Sequence, residues 1–453
     1  MTAKKTLRIL ISTGHLGTAP SAPESFHRGM ATNPDYVVAD AGSSDPGPVY
    51  LGEDIAMGHF DREELELFLT ASRKKGIPLI IGSARDAGTN AGVDEFVRII
   101  QEVALEHRIP KFKLGYFYSE VLRDYLQRKL AAGEAITGLG GFPALTAGEL
   151  DKSTRVVAVA GIHPFVKLLD MGADVIIGGR CGDINFTAAP CIRAGFPEAL
   201  AYHMGKMIEC ASLVAEPFMG KETVIGTISQ DDIKITPYHP DQRCTIASVA
   251  GHSMYERDNP FYEYTLGGML DMRNCSYTQH DERTCQISGA LWNPAKELRV
   301  KIEGAKKVGE RYMGFAGIRD PHLVRNIDQV VEWSRASTAK LFGKERYELY
   351  FHVFGKNGVL KELEPVKESK AHELGIVVEV LADTHAFAQK VTDFALRMFF
   401  FARIPGVKGT AGAAATTRLP MRATPGYMWN VNHTMRIDDP LELFPTHLTE
   451  AGV

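Results

Sequence analysis

The stretch from Met171 to Asp183, MGADVIIGGRCGD, runs an apolar segment into two glycines and then sets Arg180, Cys181 and Asp183 side by side. A guanidinium keeps its charge and can hold a carboxylate through two parallel N–H groups. A carboxylate three residues on can move a proton, or simply pair with that arginine. Four further apolar segments end in the same way. LRILIST runs into GHLGTA, with Thr13 and Gly14, and YVVA runs into DAGSSDPGP, with Asp40, Ser43, Ser44 and Asp45. PLIIG meets SARDAGT, with Ser83, Arg85 and Asp86; RVVAVA meets GIHPF, with His163; and DVIIG itself leads into GRCGDINF, with Gly179, Arg180, Asp183 and Asn185. Any one of these loops has an ordinary structural reading, a glycine turn or a local ion pair. Five in succession, with plain surface text at the opposite ends, predict a single rim that binds a ligand.

A second cluster lies in GHSMYERDNPFYEYTLGGMLD, with His252, Tyr255, Glu256, Asp258, Gly268 and Asp271. Such residue types serve as acid/base groups or as nitrogen and oxygen metal ligands, or as a loop of solvated charges. The expected proton-moving residues are Asp183, His163, Asp40 and Glu256. The expected substrate contacts are Arg180, Arg85, Ser83, Ser43, Thr13, Gly14, Gly179, Asn185, Tyr255 and Gly268. Arg180 is the side chain best placed to take a substrate carboxylate. No cofactor motif is present: no loop is a GxGxxG or a P-loop. The cofactor stays unknown; a divalent metal on Asp40, Asp45 or Asp183 is open, without a ligand spacing to identify it.

The elements that would hold these groups are short, continuously apolar strands, each followed by an amphipathic helix. Strands are expected from near Leu7, Tyr36, Pro78, Lys111, Thr154 and Asp174. Helices are expected in DREELELFLTASRKKG, DEFVRIIQEVALEH, SEVLRDYLQRKLAAG and HPFVKLLDMGA. Strands apolar on both faces mean a parallel sheet covered on both sides. The fold class is therefore α/β, a mostly parallel, doubly wound sheet in the N-terminal half, with a barrel as second choice. The strands near Leu7, Tyr36, Pro78, Thr154 and Asp174 are expected to lie parallel in that one sheet. A β-rich region and a small α+β C-terminal region follow. The expected domain limits are 1–218, 219–335 and 336–453. A Gly/Ala/Thr-rich segment, VKGTAGAAATTRLP, lies in the last part.

The balance of 51 basic and 55 acidic residues gives no reason to expect nucleic acid or an anionic membrane surface as partner. No leader with a long apolar core and no stretch long enough to span a membrane is evident, so a cytoplasmic protein is expected. Six cysteines without a CxxC pair are expected to be reduced and mostly buried.

Taken in order, several blocks resemble the acyclic terpene utilisation (AtuA) family, in a branch distinct from its best-known terpene members. TRVVAVAGIHPFVKLLDMGADVIIGGRCGD is similar to the family's central segment, and HSMYERDNPF with GGMLD to two later motifs. KIEGAKKVGERYMGFAGIRDP and GYMWNVNHTMRIDDPLELFP complete the likeness, which runs over essentially the whole chain. DAGSSDPGP departs from the terpene branch. The resemblance implies a catabolic enzyme, and Gly179, Arg180, Asp183, Tyr255, Glu256, Gly268 and Asp271 fall on matching motif positions. The expected activity is that of a lyase or hydratase on a small hydroxy- or carboxylate-bearing substrate, with an acyl-CoA link as one form. A non-catalytic accessory or binding subunit and a nucleotide-using enzyme are the alternatives. The expected partners are the small-molecule substrate, further copies of the chain in a homo-oligomer, and a small partner subunit.

Overall fold

A computed structural model describes residues 6–56, 58–409, 412 and 414–453. Its strands begin with β1 (Leu7–Ile11), β2 (Tyr36–Asp40), β3 (Leu79–Gly82), β4 (Phe112–Phe117), β5 (Thr137–Gly138), β6 (Arg155–Ala158) and β7 (Val175–Gly178). The middle of the chain supplies β8 (Val224–Ile228), β9 (Ile233–Pro237), β10 (Tyr262–Thr265), β11 (Gly268–Asp271), β12 (Ser276–Gln279), β13 (Cys285–Ser288) and β14 (Leu291–Pro294). Then come β15 (Arg299–Ile318), β16 (Tyr347–Phe354), β17 (Leu374–Ala382), β18 (Ala415–Thr416), β19 (Met421–Arg422), β20 (Gly426–Arg436) and β21 (Thr446–Ala451). The chain forms two compact units, Met1–Lys306 with Trp429–Val453, and Lys307–Met428.

In the first unit, β1, β2, β3, β7 and β4 lie parallel in that order. Their side chains alternate between two cores. Ile9, Ile11, Val38, Ile80 and Ile176 point to one, and Leu10, Val37, Ala39, Leu79, Ile81, Val175 and Ile177 to the other. This is why the strands carry no polar alternation: both faces are dry. Burying each such side chain contributes up to about 1.5–3 kcal/mol. Helix Asp61–Lys75 closes one face with Leu65, Phe68 and Leu69 and ends on Gly76 in the left-handed region. Helix Asn90–Glu106 covers the same face with Phe96, and the Thr89 hydroxyl caps it by accepting the Gly92 N–H at 3.0 Å. Helix His163–Asp170 packs Phe165, Leu168 and Leu169 on the opposite face. The sheet is thus doubly wound.

One strand departs from expectation. β6 is not in this sheet; it pairs antiparallel with the first part of β15, Ile302 opposite Ala158 and Ala305 opposite Arg155. Beside β7, on the side away from β3, the sheet continues with β4. Just beyond its end, Ala160 bridges Cys181, so β6 and β15 still reach the carboxyl end of β7.

The β-rich middle region is continuous with the parallel sheet. β8 pairs antiparallel with β1, and β9, β13 and β12 extend that edge. At the other edge β21 pairs antiparallel with β4. β10, β11 and β14 form a separate three-stranded sheet.

The second unit is α+β. β16 and β17 pair antiparallel, and β17 pairs with the Glu310–Ile318 part of β15. Helices Ile327–Phe342 and His385–Phe400 bury Val330, Val391, Ala395 and Phe399 in its core. Asp320, in GIRDP, caps helix Pro321–Arg325, accepting from the His322 and Leu323 N–H groups at 2.9 Å. In the Gly/Ala/Thr-rich segment, residues 410, 411 and 413 lie outside the described residues. All six cysteines are free. Among the described residues no helix is long and apolar enough to cross a membrane.

Candidate functional site

Parallel strands in register deliver their carboxyl ends to one rim. Asp40 lies opposite Gly82, and Ile81 opposite Ile177. The loops after β2, β3 and β7 are therefore adjacent, and Arg180 ties them together. Its Nε donates to Glu303 Oε2 at 2.9 Å, its Nη1 to Ser83 Oγ at 3.3 Å and the Cys181 carbonyl at 3.2 Å, and its Nη2 to Ser44 Oγ at 3.3 Å. Asp183 Oδ1 sits 3.6 Å from Nη1. Arg180 is buried, and its three nitrogens are directed at protein atoms. Glu303 also accepts from Lys301 Nζ, at 2.7 Å.

The two acids beside Arg180 are not alike. Burial pushes the Glu303 carboxyl up, but Arg180 and Lys301 outweigh it and hold the group down at about 2. Burial also raises Asp183; the Arg180 and Lys206 charges oppose this and are overcome, with Asp45 and Glu303 adding to the rise. Asp183 Oδ1 is buried with no hydrogen-bond partner among the described residues. The rest of its side chain faces a cavity of about 600 Å³.

That cavity has an apolar wall, including Leu139, Val159, Ile184, Leu266 and Met269, and a charged end with Asp183, Lys206, Glu209 and Glu263. Lys206 belongs to helix Glu198–Ile208, which is buried along most of its length. One side of this helix stacks Tyr202 on Trp292 of β14, ring centres 4.4 Å apart. At Gly205 a Cβ would fall 2.5 Å from the Ile184 carbonyl oxygen. Only glycine permits that approach, and it brings Lys206 beside the Asp183 segment. Lys206 donates to Glu209 and lies 4.4 Å over the Tyr255 ring. Burial drives Glu209 up to about 8, with Lys206 opposing and Asp183 reinforcing the rise. Burial, then the charges of Lys206 and Arg257, push His252 down to about 3. Asp40 is raised well above the carboxylate range by burial and by the Asp183 charge.

The residues singled out by sequence fall into three groups. Asp183, Asn185 and Gly268 line the cavity, Asn185 accepting from Thr265 Oγ1 at 3.0 Å. Arg180, Ser83, Asp40 and Ser43 belong to the rim behind Asp183, and Ser43 and Arg180 border a small separate cleft with Glu303 and Trp429. Thr13 Oγ1 accepts from the His15 N–H at 3.1 Å, and Gly179 is pressed against Ser119. Gly14 faces the Cys210 backbone, where a Cβ would lie 2.4 Å from Cys210 Cα. Tyr255 places its hydroxyl 3.0 Å from Cys210 Sγ.

The remainder stand apart from the cavity. Arg85 pairs with Glu95 at 2.8 Å and Asp54 at 3.8 Å. His163 begins its helix with Nδ1 buried and without a hydrogen-bond partner among the described residues. Glu256 and Asp45 are exposed, and Asp271 is held by Arg273 at 2.7 Å. Of Asp40, Asp45 and Asp183, none belongs to the metal-competent group found among the described residues, which is Glu209, Cys210 and His252.

Lys206, Glu209, Glu263 and Glu303 escaped the sequence reading. A signal for the first two was present: EALAYHMGKMIEC is an apolar helix carrying a lysine and a glutamate three apart, and charges on a fully buried helix need a reason. Glu303 is hidden between Ile302 and Gly304 in a strand whose other charged residues are half-buried or exposed.

Comparison with known proteins gives one match. The model of the family described as acyclic terpene utilisation family protein AtuA matches residues 7–437. No curated protein and no solved structure matches the chain.

Proposed function

The chain belongs to the AtuA family, and from that premise we propose that it is a cytoplasmic catabolic enzyme, a lyase or hydratase acting on a small hydroxy acid or its thioester. The observation that carries this reading is one cavity of about 600 Å³ that joins an apolar wall to a proton-moving end. The wall suits a hydrocarbon chain, in keeping with the family's description. Arg299 and Lys301, also on the lining, supply positive charge for a substrate carboxylate.

Asp183 is the base in this reading. A carboxyl raised by burial stays a competent proton acceptor near neutral pH and returns the proton readily. It takes the proton α to the carboxylate or thioester; the electron pair forms the C=C bond; the β-hydroxyl leaves as water with a proton from the Lys206 ammonium. Hydration is the same path reversed. Arg180 touches no substrate here. It is a positioning residue that holds the Asp183 loop against Ser83 and Glu303.

The test is proton exchange into a panel of hydroxy acids and their thioesters in deuterated water, followed by NMR. Asp183→Asn is expected to slow exchange and dehydration by roughly 10²–10⁴-fold while the protein stays folded. An Asp183→Asn protein that works at the wild-type rate overturns the assignment.

A further inference from the structure

Cys210 and His252 have no task in the reaction just described, and Glu209 serves there only as the partner of Lys206. All three converge. The Glu209 carboxylate, the Cys210 thiol and a ring nitrogen of His252 offer ligand atoms that lie within 4.8 Å of one another. His252 is 8% exposed, and its Nε2 is buried with no hydrogen-bond partner among the described residues. A buried polar atom without a partner is costly unless something supplies one. We infer that Glu209, Cys210 and His252 bind a divalent transition-metal ion, at the charged end of the cavity that the proposed enzyme uses.

The chemistry of the donors selects the metal. One sulfur, one nitrogen and one oxygen suit Zn²⁺, with a fourth tetrahedral position left for water or a substrate oxygen. Ca²⁺ and Mg²⁺ prefer all-oxygen sites. The imidazole is already in its ligand form, since burial and two neighbouring cations keep it neutral. The thiol is not: burial holds its proton on, so binding must displace that proton to solvent. The surroundings are arranged for it. Tyr255 stacks on His252, ring centres 4.6 Å apart, and sets its hydroxyl 3.0 Å from Cys210 Sγ. Such outer contacts orient ligands at metal sites. The cations of Lys206 and Arg257 are offset by Glu209 and by Glu263, which Arg257 meets at 3.1 Å. Closing the ligands around one ion requires them to approach by about an ångström from their present spread, given zinc–ligand bonds of about 2.0–2.3 Å.

This inference rests on the enzyme reading only for the metal's use, not for its binding, so the test reads binding. Chelator-treated, reduced protein is titrated with Co²⁺ and then Zn²⁺, following absorbance and proton release. One Co²⁺ per chain is expected, with a thiolate-to-cobalt charge-transfer band that Zn²⁺ abolishes and with protons released on binding. Cys210→Ser should remove the band and weaken binding at least tenfold. His252→Gln should weaken it by about a hundredfold, the upper range for loss of even an outer contact. Asp183→Asn should leave the band in place. A wild-type protein without the band, or a folded Cys210→Ser protein that keeps it, overturns the site. Loss of turnover in Asp183→Asn with the band intact separates the two proposals.

Discussion

Glu303 and Asp183 share one arginine and are shifted in opposite directions. Glu303 meets two cations through direct hydrogen bonds, at 2.9 Å to Arg180 and 2.7 Å to Lys301, and is held fully ionised. Asp183 has one cation within 4 Å, Arg180 at 3.6 Å from Oδ1, and feels Lys206 only at longer range; Oδ1 has no hydrogen-bond partner among the described residues. Desolvation pushes both carboxyls up, although 39% of the Asp183 side chain is exposed against 5% of Glu303; the closeness and hydrogen bonding of the cations decide which one yields. A fully compensated acid is a strut. An under-compensated acid at a cavity wall can exchange a proton. The difference separates the part of the rim that holds the loops from the part that can do chemistry.

The largest expected effect comes from removing the shared cation. Arg180→Met leaves Glu303 buried without its guanidinium partner, and breaking a buried pair costs about 3–5 kcal/mol. Denaturant unfolding at neutral pH measures this. A loss under about 1 kcal/mol would mean that Arg180 is not the strut described.

The next effect concerns acid. The folded-state value of Glu303 lies near 2 against 4.5 for the free side chain. Its contribution is present above pH 4.5 and is lost as pH falls through about 2. By linkage this amounts to about 3 kcal/mol. Glu303→Gln should therefore be less stable at neutral pH, and the gap to the wild type should close between pH 4.5 and 2. Parallel stability curves for the two proteins over that window would remove Glu303 from the strut.

The smallest effect has the opposite sign. Asp183 is raised, so its stabilising share is present at low pH and is lost as pH rises through its folded-state value. At neutral pH the wild type bears the cost of an under-compensated acid. Asp183→Asn should melt at the same temperature or slightly higher, solvent screening of the part-exposed carboxyl keeping the gain small, even as activity falls. A marked loss of stability would move Asp183 beside Glu303.

Much of this was legible from residue order. Continuous apolar strands ending in GHLGTA, DAGSSDPGP, SARDAGT and GRCGD place Ser83, Ser44 and Arg180 at one rim, because parallel register leaves them nowhere else to go. What Arg180 does there was not legible. Its partner Glu303 lies 123 positions away in a strand whose pairing with β6 has no local signature. The strand near Thr154 has the same apolar text as its neighbours and yet leaves their sheet, since apolar character does not name the pairing partner. Lys206 and Glu209 are signalled by the apolar text around them, but only the helix's burial between two sheets shows what they face. Arg85, Glu256 and Asp271 carry motif chemistry but are held by surface partners or face solvent.

The most direct test of the central contrast is the titration of the two carboxyls themselves. Carbon-13 NMR of protein labelled at the Asp and Glu side-chain carboxyls, with resonances assigned by their loss in Asp183→Asn and Glu303→Gln, follows each group separately. The prediction is that Asp183 titrates above the ordinary aspartate value of about 3.9 and Glu303 below the ordinary glutamate value of about 4.3. If both titrate in the ordinary range, or if Asp183 falls below it, the division of the rim into a strut and a proton-moving group is wrong.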